Sequence, residues 1–157
     1  MNLSKLHFIT QPLPHLTNAE LVEEVCKAGV RLVQLRIKDA SEDTIYEEAK
    51  AVQSVCKKYN ATFILNDYVP IAQILKVDGV HLGKNDLSPI KARELLGKNT
   101  IIGGTANSIE DIQKLIDAKV DYIGLGPYKH TETKKNLSPL LGIDGYKNSI
   151  KHFENKR

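Results

Sequence analysis

Short β-branched runs alternate with longer runs of helical periodicity along the whole chain, and that alternation points to a parallel sheet built from strand-helix units. Strands are expected at residues 6–10, 32–36, 62–66, 79–82, 101–105 and 122–125. Between them, Thr17 with Glu20 three residues on forms a capping box for a helix ending near Gly29, with Leu21, Val25 and Ala28 as its apolar face. A second helix is expected over 44–58, where Ile45, Ala49, Val52 and Cys56 recur at spacings of three and four. Shorter helices follow at 70–75, after Ser88-Pro89, at 108–118 and at 144–153.

That makes six βα units in 157 residues, read as a single domain, 1–157. A closed (β/α)₈ barrel needs eight units and typically ~250 residues, with ~200 near the lower limit. An open doubly wound sheet suits six units as well, and periodicity does not decide between them.

In either architecture ligands bind at the carboxyl ends of the strands, and the unusual polar residues fall there. In Val33-Gln34-Leu35-Arg36-Ile37-Lys38, strand alternation puts Gln34, Arg36 and Lys38 on one face and the apolar residues on the other. The alternative is an exposed strand face with paired charges. The third strand ends in Asn66-Asp67, and the fourth is followed by His81-Leu82-Gly83-Lys84-Asn85-Asp86. Helix capping explains either aspartate alone. Together, beside a basic strand, Asp67 and Asp86 suit Mg²⁺, a hard cation held by one or two carboxylates plus substrate phosphates. Gly103-Gly104-Thr105 allows close backbone approach and offers a hydroxyl, whereas Thr131, Thr133 and Lys134 supply donors for a phosphate or form a solvated loop. His81 lines the site or is a hydrogen-bonded structural histidine. Tyr68 and Tyr128 read as packing or rim residues.

Bulk properties narrow the partners. The net charge of +3 is small and the charges are interspersed, which argues against a dedicated nucleic-acid protein. Cys26 and Cys56 lack any metal-ligand or redox spacing and read as buried free thiols in a reducing cytoplasm. No stretch approaches the ~20 apolar residues of a membrane span, and the first residues lack an apolar signal core.

The ordered set Gln34-x-Arg36-x-Lys38, Asn66-Asp67, Gly79-Val80-His81-Leu82-Gly83 with Asp86, Gly126-Pro127 followed by Thr131-Glu132-Thr133-Lys134-Lys135, and Pro139-Leu140-Leu141-Gly142 resembles the thiamine-phosphate synthase family over nearly the whole chain. The resemblance implies a (β/α)₈ TIM-barrel transferase. Such an enzyme joins hydroxymethylpyrimidine pyrophosphate to hydroxyethylthiazole phosphate, giving thiamine phosphate and pyrophosphate with Mg²⁺ as cofactor. It implies that Gln34 contacts the pyrimidine, that Arg36, Lys38, Asn66 and Lys134 hold the pyrophosphate with Thr105 beside it, and that Asp67 and Asp86 bind the metal. Thr131 and Thr133 match the binders of the thiazole phosphate. Arg36, Lys38 and Lys134 are the residues expected to assist departure of the leaving group.

The family pattern continues through two further βα units beyond the six present, so part of the thiazole-phosphate site is expected to be absent and strand edges exposed. Exposed edges favour a homo-oligomer. Three rivals stand beside the synthase: the related thiazole tautomerases, which carry a histidine where this chain has Asn107; a non-catalytic phosphate-binding module; and another phosphate-binding barrel enzyme of amino-acid or nucleotide synthesis, which predicts one phosphate loop but not the paired aspartates.

Overall fold

In the computed structural model, which describes residues 3–130 and 138–154, the strands are β1 (Phe8–Ile9), β2 (Leu32–Leu35), β3 (Thr62–Asn66), β4 (Gly79–Leu82), β5 (Ile101–Ala106) and β6 (Tyr122–Leu125). They alternate with helices α1 (Asn18–Lys27), α2 (Glu42–Lys58), α3 (Val69–Leu75), α4 (Pro89–Leu96), α5 (Ile109–Asp117) and α6 (Gly142–Glu154). All strand pairs are parallel, and the strands lie side by side in chain order from β1 to β6. Parallel neighbours need crossovers, and right-handed crossovers that always step the same way stack their helices on the same side. A doubly wound sheet requires a reversal of strand order, and the described strands show none. The result is a singly wound α/β sheet curled into a half-barrel.

Strand alternation sorts the side chains between the two faces. Val33, Leu35, Phe63, Leu65, Val80, Leu82 and Ile102 turn outward and pack with helix residues such as Val22, Ile45, Val52, Cys56 and Ala72. Inward, Leu32, Ile64 and Ile101 form an apolar floor with Leu3 and Tyr122. Further along the same strands the inward residues become polar: Gln34, Asn66, His81 and Thr105. The floor therefore lies toward the amino ends and the polar layer toward the carboxyl ends.

Caps fix where the helices begin. Glu20 N–H donates to Thr17 Oγ1 and Thr17 N–H donates back to Glu20 Oε2, so the box expected for α1 is present. Ser88 and Pro89 open α4 as expected. α2 starts two residues before the expected Thr44, because the Ser41 hydroxyl accepts the Thr44 N–H. The apolar face of α1 also needs correction: Val22 and Cys26 are its fully buried residues, Leu21 and Val25 only half-buried, and Ala28 exposed. Both cysteines are buried free thiols, as expected. At the amino ends, Asp78 Oδ2 accepts the Phe63 N–H and Asp121 Oδ2 accepts the Ile102 N–H while pairing with Arg93. Among the described residues, no helix is long and apolar enough to cross a membrane.

Candidate active site

Each aspartate of the expected metal pair is held by a tight turn just after its strand. Asp67 N–H donates to His81 O at 2.9 Å, extending the β3–β4 ladder by one step. The chain then turns through a left-handed residue, Asp67 itself at φ 69°, a conformation that a short polar side chain tolerates better than most. After β4, Asp86 Oδ2 accepts the Gly83 N–H at 2.6 Å, and Asp86 N–H returns to Gly83 O. The bare Gly83 leaves room for this bond, since a Cβ there would sit 2.7 Å from Asp86 Oδ2 and push that carboxylate aside.

These turns bring the two carboxyl groups to one cavity, close enough for Asp86 to act on Asp67. Burial, and then the hydrogen bond and negative charge of Asp86, push the Asp67 carboxyl up to about 7, while Arg36 and Lys38 pull it the other way. A half-buried Asp67 carboxyl with the exposed Asp86 and two cations beside it suits a divalent, oxygen-seeking ion, which would offset the negative charge of the pair.

Gln34 is 2% exposed, and its Nε2 donates to Asn66 Oδ1 at 2.8 Å. Its Oε1 is buried with no hydrogen-bond partner among the described residues. Arg36 lies just past the end of β2 rather than within the strand as expected. Its backbone N–H donates to the hydroxyl of Thr10, a fully buried residue whose own N–H donates to Gln34 O. Thr10 thus carries the pairing of the first two strands past their ends and fixes where Arg36 leaves the sheet.

His81 is hydrogen-bonded on both ring nitrogens, Nδ1 with the Tyr122 hydroxyl at 3.1 Å and Nε2 with Thr105 Oγ1 at 2.9 Å. Burial pushes the Tyr122 phenol well above its ordinary range. Asn107 Nδ2 donates to Gly126 O, and its Oδ1 accepts from the Ser138 hydroxyl.

One cavity of about 540 Å³ brings together Gln34, Arg36, Lys38, Asn66, Asp67, Asp86 and Thr105. A second, of about 640 Å³, adjoins it along β5 and β6 and shares Gln34, His81, Thr105 and Asn107 with it. A third, of about 620 Å³, lies at the amino ends of the strands beside Gln73, Leu95 and Thr100 and holds none of these residues. Thr131, Thr133 and Lys134, expected to complete the site, lie outside the described residues. Sequence reasoning missed Thr10, Tyr122 and Ser138. Only Thr10, a polar residue at the end of a strand, carried a signal that could have found it.

The family model described as thiamine monophosphate synthase matches residues 6–156. The chain belongs to the thiamine monophosphate synthase family. Within this family, the thiamine-phosphate synthase of Phocaeicola vulgatus is 43% identical over 146 residues, which are 93% of this chain and 70% of that protein. The thiamine-phosphate synthase of Flavobacterium psychrophilum is 40% identical over 154 residues, 98% of this chain and 75% of the relative. Among solved structures, a thiamine phosphate pyrophosphorylase from Pyrococcus furiosus superposes with a TM-score of 0.81 at 29% identity, covering 94% of this chain and 69% of that one.

Proposed function

We propose that this chain condenses 4-amino-5-hydroxymethyl-2-methylpyrimidine pyrophosphate with hydroxyethylthiazole phosphate, giving thiamine phosphate and pyrophosphate. One observation carries the reading: the Asp67–Asp86 carboxylate pair lies with Arg36 and Lys38 in the cavity at the strands' carboxyl ends. It is the arrangement that a metal-assisted departure of pyrophosphate requires, and it occurs in a chain whose relatives are named for that synthesis.

The reaction breaks the C–O bond between the pyrimidine's methylene carbon and pyrophosphate, with the electron pair leaving on oxygen. The thiazole nitrogen then forms the new C–N bond with its own lone pair. Mg²⁺, held by Asp67 and Asp86, would supply Lewis-acid stabilisation of the leaving pyrophosphate. Arg36 and Lys38 add fixed positive charge at the same place, with Lys134 in the same role. Asn66 and Thr105 offer hydrogen bonds to the pyrophosphate oxygens. The unpartnered Oε1 of Gln34 suits the amino group of the pyrimidine, an N–H donor. Thr131 and Thr133 hold the phosphate of the thiazole. No protein nucleophile is needed.

In this reading the singly wound sheet is of the (β/α)₈ type, residues 1–157 act as one domain, and the enzyme works in the cytoplasm as a homo-oligomer. The exposed apolar residues Leu6, Leu13, Leu16, Ile143 and Ile150 support self-association.

The test is product formation by the purified chain supplied with both substrates and Mg²⁺. Thiamine phosphate should form, stop with EDTA and resume with excess Mg²⁺. Pyrophosphate binding without product would instead favour a non-catalytic phosphate-binding module.

A further inference from the structure

We infer that Tyr122 and His81 form a positioning relay that turns the Thr105 hydroxyl proton into the cavity, as a donor to an anionic oxygen of the ligand. The identity of that oxygen, on pyrophosphate, rests on the proposed function. The relay itself rests on the geometry of three neighbouring strands.

His81 on β4 and Tyr122 on β6 are separated by β5, and both pair in register with the same residue, Gly103. Strands two apart in a sheet lie roughly 9–10 Å from each other, so such side chains meet only where the strand between them carries none. Gly103 provides that gap, since a Cβ there would come within 2.1 Å of the Tyr122 ring. Gly124 does the same for the histidine: its Cβ would lie 3.0 Å from His81 Cε1. The two rings stack at a centroid distance of 5.5 Å with 27° between planes, and the two hydrogen bonds continue from Tyr122 through His81 to Thr105.

The direction of the chain of protons follows from satisfying these three half-buried groups. Tyr122 keeps its proton at neutral pH, because burial raises the phenol. Among the described residues, the acceptor within reach of that proton is His81 Nδ1. Nδ1 must then be bare and Nε2 protonated, so Nε2–H donates to Thr105 Oγ1. With an oxygen lone pair occupied in this way, the Thr105 O–H is left to point at a ligand in the cavity it lines. The opposite tautomer would leave the phenol proton of half-buried Tyr122 with no protein acceptor among the described residues.

Two measurements test the relay. Long-range ¹H–¹⁵N spectra of the whole chain should show His81 protonated on Nε2, with the tautomer preference lost in Tyr122→Phe; a wild-type His81 protonated on Nδ1 overturns the inference. Titration with inorganic pyrophosphate in the presence of Mg²⁺ should show Tyr122→Phe and Thr105→Val each weakening binding roughly tenfold. The double variant should be no weaker than Thr105→Val alone, and Thr105→Ser should bind as the wild type does. Additive losses, or unchanged binding by Tyr122→Phe, overturn the relay. Should Tyr122→Phe not fold, the wild-type tautomer decides. A wild-type chain with the Nε2–H tautomer but no affinity for pyrophosphate would contradict the proposed function and leave the relay standing.

Discussion

Asp67 and Asp86 line one cavity from the ends of adjacent strands, close enough for Asp86 to act on Asp67, and the Asp86 carboxylate is fixed by the Gly83 N–H. Burial and this neighbour raise the Asp67 carboxyl from its ordinary value of 3.8 to about 7. Below about 7 a proton on Asp67 would compete with a bound Mg²⁺. Apparent Mg²⁺ affinity should fall by roughly tenfold per pH unit as the pH drops below that point, and level off above it. Calorimetric titration between pH 5.5 and 8.5 checks this; a flat profile contradicts it.

The same shift has a consequence for stability. A carboxyl whose folded pKa is raised destabilises the metal-free fold as pH climbs from the unfolded value near 3.8 through about 7. Asp67→Asn should thus raise the thermal midpoint of the metal-free protein at pH 8 by a few degrees and change it little near pH 4. It should also remove the stabilisation given by Mg²⁺. Melting curves with and without Mg²⁺ at both pH values read the difference.

Gly83→Ala would place a methyl group 2.7 Å from Asp86 Oδ2 and displace the bond from the Gly83 N–H. The obstacle is the end of a side chain that can swing away, so the fold should survive. Mg²⁺ affinity should drop, by about tenfold if one charge-assisted hydrogen bond is lost. Unaltered metal binding would mean that the Gly83–Asp86 turn does not orient the carboxylate.

Asn66→Ala deprives the buried Gln34 Nε2 of its acceptor and should cost about 1–3 kcal/mol in urea unfolding. Asn66→Asp keeps an acceptor there and should recover much of that stability. If the two variants unfold alike, the amide pair is not a structural anchor.

How much of this was readable in advance depended on the range of the cause. The helix starts at Thr17 and Ser88 are set within four residues, and they were found. The face of α1 was not: Leu21 and Val22 both sit on helical stripes, and only packing against α2 and the sheet selects Val22 and Cys26. Gln34, Asn66, Asp67 and Asp86 stood out because polar residues at strand ends are informative, and the structure brings them to one cavity. Tyr122 stayed hidden because its significance depends on Gly103 and His81, and that meeting is fixed by the register of three strands. The Asn107–Ser138 bond spans 31 residues of chain and leaves no local pattern.

The most direct measurement is the simultaneous release of thiamine phosphate and pyrophosphate by the wild type and by Asp86→Ala and Lys134→Ala. The wild type should release equal amounts of both products. Turnover should fall by about a hundredfold or more in each variant, with circular dichroism unchanged. Near-normal rates in the variants, or release of pyrophosphate uncoupled from thiamine phosphate, would contradict the assignment of this cavity as the site of the condensation.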